Sequence, residues 1–445
     1  MKKTSRSLFG QPSLRPTNYN TTEPFEDVDL STKSVLVVDN GLFVEWAVML
    51  AKNFGKVYYH VPNMKSFPDL NISTIGYGME NLILCNEMFD WGEDYNFDKI
   101  DLFVFPDVNM GGMQEHLIRL GKRVWGSRRG EELESRRFQT KVWMYEHGLD
   151  VNEATKIIGI DALTDYLEEN KDQYVKISYF RDTFETFHHE DIFITETWLN
   201  ELTRKVGWFK DYIEFIVEVP IKTDIEYGFD GYTVDGQYPK QGLWGFEVKD
   251  KAYISRAGEL PEVLKEINDL FTPILIDYGF RGNMSNEVRL SDGVGYMSDF
   301  CARLGSPPSE LYQEMISNWA EICYHGAMGN MIEPEYVAKY GAEIMMDTMW
   351  VDLQPMCISF PPKYRNNVKL CNCCKVDGKY YIIPQKIGLS KVCSVIGMGD
   401  TIEEAKEQAN NIAKEVKGYS LNCHSESLDE AEKIINEAKE LGIKF

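Results

Sequence analysis

The run Ser34–Asn40, SVLVVDN, narrows the fold more than any other stretch of this chain. Its four consecutive apolar residues leave no face for water, which is the pattern of a strand covered on both sides in a parallel sheet. Asp39, Asn40 and Gly41 then turn the chain, and LFVEWAVMLAKNFG carries apolar residues at helical spacing up to Gly55. Further strands are expected at Lys56–Val61, at Ile100–Pro106 and in KRVWG, with a helix over Met113–Leu120. The first part of the chain therefore reads as an alternating α/β domain. Its first turn lacks the GxGxxG pattern, which argues against dinucleotide binding there.

From Gly130 the sequence EELESRRFQTKVWMYEHG reads as a charged amphipathic helix that sets Arg137 and Lys141 on one side, four residues apart. A solvated surface paired with Glu132 and Glu134 is the plain alternative. A strand, a helix beginning near Asp161 and a second strand follow, and that second strand holds Lys176 between apolar neighbours. A buried ammonium is costly unless an anion meets it, and a phosphate would serve. The segment Phe180–Asp191, FRDTFETFHHED, reads as a flap carrying Arg181 and the pair His188 and His189. Adjacent strand residues point apart, so zinc between the two histidines is not expected. After the helix ETWLNELTRKVG, the strand YIEFIVEVPI carries Glu214 and Glu218, and Glu226 stands where the next strand enters, as a ribose-gripping carboxylate or a plain strand-end acid.

The segment Gly282–Gly305, GNMSNEVRLSDGVGYMSDFCARLG, reads as a hairpin turned at Asp292 and Gly293. Glu287 lies on its first strand and Asp299 on its second, and Asp299, Cys301 and Arg303 are expected on one face. Facing carboxylates repel unless a cation such as magnesium lies between them. Beyond the hairpin, PPSELYQEMISNWAEICYHGAMG and PEYVAKYGAEIMMD read as helices, KYYIIPQ and VCSVIGMGD as strands, and DTIEEAKEQANNIAKEVKG as a helix capped by Asp400 or Thr401. Cys371, Cys373 and Cys374 lack the CxxC pairs of a structural zinc site and read as reduced structural thiols.

Composition limits the function classes. With 445 residues and no run of about 18 apolar residues, a multidomain chain outside the membrane is expected. The opening arm has basic residues but no apolar core of a secretory signal. Nine irregularly spaced cysteines point to reduced thiols in the cytoplasm without disulfides. A net charge of −23 repels duplex nucleic acid, while a small anion such as ATP needs only a few local cations.

In this order the pieces resemble the ATP-grasp superfamily, and most closely its glycinamide ribonucleotide synthetase (phosphoribosylamine-glycine ligase) branch. The likeness rests on the helix with two cations, the strand with Lys176, the strand with Glu218, and Asp-Phe-Cys-Ala-Arg at 299–303, which is similar to the family's Glu-x-Asn-x-Arg. The twelve-residue interval from Glu287 to Asp299 and the closing GMGDTIEEAKEQANNIAKEV add to it. The resemblance implies an N-terminal arm at 1–33 and an α/β pre-ATP-grasp domain at 34–130. An α+β ATP-grasp domain at 131–335, a small C-terminal α+β domain at 336–420 and a C-terminal helix at 421–445 would follow.

It implies further that Arg137, Lys141, Lys176 and Arg181 contact ATP phosphates, that Glu218 lies at the adenine hinge and that Glu226 holds ribose. Glu287 and Asp299 would bind Mg2+ or Mn2+, and Arg303 would steady the transferring phosphoryl group as the catalytic residue. The implied activity is an ADP-producing, ATP-dependent carboxylate-amine ligase that forms an amide through an acyl phosphate, with a small carboxylate and an amine as substrates. Oligomeric state stays open, a homodimer included. The chain departs from the family at Cys301, which stands where the metal-binding Asn is usual. It departs again at the flap, which replaces a Gly-rich loop, and at Gly305-Ser306-Pro307-Pro308, which replaces Gly-Asp-Pro-Glu and implies a different acceptor. A catalytically decayed ATP-grasp scaffold with a binding or structural role is the alternative.

Overall fold

The apolar run at Ser34 becomes the central strand of a parallel sheet in the computed structural model, which describes residues 21–62, 72–178, 186–223, 225–384 and 390–445. In chain order the first elements are β1 (Ser34–Val38), α1 (Val44–Leu50), β2 (Lys56–His60), β3 (Leu82–Leu84), β4 (Leu102–Val104), α2 (Gly111–Arg119) and β5 (Val124–Trp125). Then come α3 (Glu132–Ser135), α4 (Arg137–Glu146), β6 (Ala154–Ile158), α5 (Ile160–Glu169), β7 (Gln173–Ile177), β8 (Thr186–His189), α6 (Ile192–Val206) and β9 (Glu214–Glu218). The middle of the chain forms β10 (Glu226–Val234), β11 (Gly242–Val248), β12 (Ala252–Gly258), α7 (Glu262–Tyr278), β13 (Arg281–Ser291), β14 (Val294–Cys301), α8 (Ser309–Met315) and α9 (Trp319–Ala327). The last part comprises β15 (Tyr340–Asp347), β16 (Met356–Ile358), β17 (Val368–Leu370), β18 (Cys373–Val376), β19 (Lys379–Ile382), β20 (Lys391–Gly399), α10 (Ile402–Ala413), β21 (Asn422–Cys423) and α11 (Ser427–Glu440).

Two units emerge among the described residues. The first is built from Glu132–Asp224 and Glu287–Phe300, the second from Thr17–Glu131, Ile225–Asn286 and Cys301–Phe445. In the first unit, β6, β9, β7 and β8 form an antiparallel sheet in that order. Alternation divides its side chains. Ile157, Val175, Ile177, Phe215 and Val217 face one way and form a core with Leu163, Leu167, Leu199 and Leu202 of α5 and α6. The register leaves Lys176, Ser178, Glu214 and Glu218 on the other face.

The second unit holds two larger sheets. The parallel one runs β3-β2-β1-β4-β5, so the strand order reverses direction beside β1. Val35, Leu36 and Val37 are fully buried there, as a strand covered on both faces requires. The other sheet runs β13-β10-β11-β12-β15-β20-β17, and the β13 to β14 hairpin carries the chain into the first unit. Its turn is made by Asp292 and Gly293 at φ of 50° and 79°, the left-handed geometry that an Asp-Gly pair favours.

Three sequence expectations change here. The helix from Glu131 to Gly148 is broken at Arg136, whose φ of −100° and ψ of 56° leave the helical region, so α3 and α4 are separate. PPSELYQEMISNWAEICYHGAMG is likewise two helices, α8 and α9. PEYVAKYGAEIMMD is no helix: its second half is β15, held between β12 and β20. Gly341 to Met346 are buried on both faces, so the run shows no strand alternation, and periodicity alone cannot separate it from a buried helix. The short strand β3 was not anticipated.

At the end of the chain Thr401, not Asp400, caps α10: its hydroxyl accepts from Glu404 N at 3.2 Å while the Glu404 carboxylate accepts from Thr401 N. The helix lies directly on β20, and a Cβ at Gly397 would stand 2.2 Å from the Ala405 carbonyl oxygen and 2.5 Å from Ala409 N. Two substitutions therefore rank clearly in urea unfolding. Thr401→Ala should cost about 1 kcal/mol, and Gly397→Ala about 2 to 3 kcal/mol because backbone cannot yield as a side chain can; equal effects would contradict this packing.

Candidate active site

The polar face of the first unit's sheet carries the densest buried charge in that unit's described residues. Tyr174 of β7 pairs with Glu218 of β9 and Lys176 pairs with Ile216, so Lys176 and Glu218 are diagonal neighbours on one face. Lys176 Nζ lies 3.1 Å from Glu218 Oε2 and 2.7 Å from Asp299 Oδ2 on β14. Lys141 of α4 reaches the other Glu218 oxygen at 2.6 Å. Its ammonium also donates to Asn152 Oδ1, and Asn152 Nδ2 donates to the Val219 carbonyl at 2.9 Å. Charges alternate along the chain Lys141, Glu218, Lys176, Asp299. One helix face brings Arg137, Thr140, Lys141 and Met144 to this spot at the spacing of successive helical turns. Arg137 Nη1 donates to the Ile177 carbonyl at 3.1 Å.

Electrostatics follow from this interlock. Burial raises the cost of ionising Glu218, but Lys176 and Lys141 outweigh it and hold its carboxyl below the usual range. Burial also opposes the charge on Asp299, and Lys176, Arg137 and Lys141 together hold it well below the usual range. Burial would lower Lys176, yet Asp299 and Glu218 lift it above the ordinary lysine value. Lys141 is the exception, because burial outweighs Glu218 and keeps its ammonium below the ordinary value. Lys176 thus meets acids of its own chain, so its burial does not by itself call for a phosphate.

The cleft over this cluster has a cavity volume of about 10 Å3 and is lined by Glu134, Arg137, Thr140, Lys141, Glu218 and Asp299, among others. That is far below the range of about 300 to 1,000 Å3 for sites that enclose whole small molecules, so as it stands the interlocked cluster leaves room for about one water. The Thr140 hydroxyl, 2 % exposed, lines it without a hydrogen-bond partner. Ser178 Oγ on the same sheet face is also buried and unpartnered. Such donors are expected to meet a ligand or water. Asp299 is 29 % exposed at its side chain and offers hard oxygen to a cation.

Other expected residues fall elsewhere. Glu287 stands on β13 and receives Ser298 Oγ on its carbonyl at 3.0 Å, but it is not among the residues lining the cleft. Arg181 lies outside the described residues. Glu226 and Arg303 belong to the second unit. Glu226 is 5 % exposed, with Lys249 Nζ at 3.5 Å. Arg303 is not on β14, which ends at Cys301, and so does not share a strand face with Asp299. Its Nε lies 3.8 Å from Asp107 Oδ1. His188 and His189 diverge as expected, His188 Nε2 to Asp172 at 2.7 Å and His189 Nδ1 to Thr195 at 2.7 Å. Cys371, Cys373 and Cys374 are buried free thiols.

Two residues escaped sequence reading, Asn152 beside the cleft and Asp39 in the second unit. Asn152, the clamp on Lys141, sits in a loop with nothing to mark it. Asp39 had a signal, an acid ending an apolar strand. It sits fully buried at the carboxyl end of β1, accepts from Gly41 N, Phe43 N and the Tyr59 hydroxyl, and is pushed up to about 6 by burial against the lowering effect of Tyr59. The reversal of strand order beside β1 is where ligands bind in open α/β sheets.

No family model and no curated protein matches the sequence. Solved structures do match the fold. A biotin carboxylase from Campylobacter jejuni in a β,γ-ATP complex superposes with a TM-score of 0.64 at 13 % identity, covering 91 % of this chain and 96 % of that one. Phosphoribosylamine–glycine ligase from Thermotoga maritima gives 0.61 at 15 % identity over 88 % and 98 %. N5-carboxyaminoimidazole ribonucleotide synthetase from Thermus thermophilus gives 0.55 at 12 % over 86 % and 98 %. With likeness to three such enzymes over nearly their whole length, the chain has the ATP-grasp fold that the residues of its hairpin implied.

Proposed function

We propose that this protein is an ATP-dependent carboxylate-amine ligase that makes an amide through an acyl phosphate and releases ADP. The observation that carries this reading is the convergence of Lys141, Lys176, Glu218 and Asp299, from four separate elements, on one cleft of the ATP-grasp fold. Five of the similar structures are complexes with ADP, MgADP or β,γ-ATP.

Charge decides how a nucleotide would be accepted. Around the cleft, Arg137, Lys141 and Lys176 balance Glu134, Glu218 and Asp299, so a bare triphosphate gains no net attraction. Mg2+ or Mn2+ would be held by Asp299 together with phosphate oxygens, and its chemistry is neutralisation of phosphate charge. Arg137, Lys141 and the Thr140 hydroxyl would bind the phosphates, and Asn152 keeps Lys141 aimed. Lys176, released from Asp299, would remain charged through Glu218 and steady the phosphates from the sheet. Glu226 would hold ribose, Glu287 would assist Asp299, and Arg303 would steady the transferring phosphoryl group. A substrate carboxylate oxygen attacks the terminal phosphorus, ADP leaves, a neutral amine attacks the acyl carbon and gives up one proton, and phosphate leaves with its electron pair and takes up that proton directly or through water. Positioning of charge, with no protein nucleophile, suits this transfer.

The decayed-scaffold reading retains two specific supports: both lysines are already neutralised by their own chain, and Cys301 offers soft sulfur where magnesium needs oxygen. ADP release separates the two readings. With a panel of carboxylates and amines, a ligase releases ADP only when both substrates are present, whereas a scaffold releases none under any combination. Asp299→Ala should lower ADP release at least 100-fold and abolish magnesium-dependent nucleotide binding with the far-UV circular dichroism unchanged; retained nucleotide affinity would count against the assignment.

The ion chain also fixes a pH response. Glu218 and Asp299 have folded values below their ordinary 4.5 and 3.8. Their stabilisation is therefore full above the ordinary carboxylate range and is lost as pH falls through the lowered values. Glu218→Gln should destabilise the protein by about 3 kcal/mol near neutrality and flatten the acid side of the stability profile measured from pH 2 to 7. An unchanged acid limb would show that Glu218 does not carry it.

A further inference from the structure

The large sheet of the second unit carries a buried row of polar side chains of which the nucleotide reading uses only the first, Glu226. Glu247 of β11 pairs with Tyr253 of β12, and Tyr253 pairs with Glu343 of β15. The register of β10 on β11 sets Glu226 at the head of the same row. Asp230, four residues along β10 on this face, accepts the Tyr253 hydroxyl. From α8, Glu310 pairs with Lys391 Nζ at 2.5 Å, and Ser306 Oγ lies 2.5 Å from the same ammonium. Lys249, 55 % exposed at its side chain, lies within 4 Å of both Glu226 and Glu247 at the row's outer end.

Within this row Glu343 is fully buried, and apart from the nearby Ser394 hydroxyl, which lowers its value, its carboxylate oxygens have no hydrogen-bond partner. Ser394 of β20, on the same sheet face, is also fully buried and its hydroxyl meets no group other than Glu343. An unpaired buried carboxyl is normally removed or matched. Burial pushes Glu343 up to about 8, the Glu310 charge adds to this, and Lys391 opposes it. The ionisable groups facing it are thus Glu310 on α8, Lys391 on β20, Glu247 on β11, Tyr253 on β12 and the Cys371 thiol after β17.

We propose that Glu343 and Ser394 form the seat of a protonated primary amine. Two carboxylate oxygens and one hydroxyl oxygen supply three acceptors for the three N–H donors of an ammonium group. Lys391 is occupied by Glu310 and leaves the Glu343 oxygens for the ligand. The exchange balances in protons: the neutral Glu343 carboxyl loses its proton to solvent as the ammonium enters, and an ion pair replaces it. An anionic acceptor would meet Glu310, Glu247 and Asp230 and be repelled.

Calorimetry on the full chain without nucleotide tests this directly, with ethylammonium chloride as probe at pH 7 in phosphate and in MOPS, which is no primary amine and whose ionisation heat differs from that of phosphate. The expected result is saturable binding with release of close to one proton per site, and no binding of sodium acetate. Glu343→Gln should weaken the probe at least tenfold and remove the proton release while leaving magnesium–ATP binding in place. Should that variant fail to fold, Ser394→Ala decides, with an expected loss of several-fold in probe affinity. Absence of probe binding, preference for acetate, or undiminished affinity in the decisive variant overturns the seat. Probe binding without magnesium–ATP binding would keep the seat and sink the ligase reading, and the converse would sink the seat alone.

Discussion

A buried ammonium must be met by negative charge, and in the first unit Lys176 sets that requirement for everything around it. The sheet of β6, β9, β7 and β8 commits one face to an apolar core with α5 and α6. Lys176, by strand alternation, can only point to the other. Glu218 on the neighbouring strand and Asp299 on the hairpin meet it there, and Lys141 closes the chain from α4. Removing any one link leaves a desolvated charge facing an empty position, which costs more than the pair contributes when intact. The arrangement is therefore firm as it stands, and on the proposed reading the ligand that exchanges with it brings both negative phosphates and a compensating cation.

Much of this was legible in the chain because strand and helix periods fix which side chains share a face. The spacing of Arg137 and Lys141, the Lys within an apolar strand, and the Asp-Gly turn of the hairpin each specified a local geometry, and the structure contains all three. What periodicity could not reach was the identity of partners. Lys176 called for an anion, and the sequence did not say that the anion would be Glu218 and Asp299. The errors have a common cause. Gly341 to Met346 are covered on both faces, so β15 carried no alternation and resembled a buried helix. Arg303 was placed on the strand of Asp299, but the strand ends two residues earlier. Asn152 lies in a loop, where neither period applies.

The second unit answers a different physical problem. Its parallel sheet presents Asp39 at the end of β1, and its antiparallel sheet presents Glu343, whose oxygens meet only the Ser394 hydroxyl, in the middle of a packed face. Both are acids that burial holds toward the neutral form, and both would gain most from a cationic group. That preference fits a chain in which Gly305-Ser306-Pro307-Pro308 departs from the synthetase pattern and in which the acceptor is expected to differ.

The central claim is that the interlocked cleft of Lys141, Glu218, Lys176 and Asp299 is a nucleotide site that opens only to a metal-compensated phosphate. Isothermal titration of the wild-type chain with ATP, with and without magnesium, tests it most directly. The account predicts saturable one-to-one binding that strengthens at least tenfold when magnesium is present. No heat under either condition, or binding indifferent to magnesium, would contradict it.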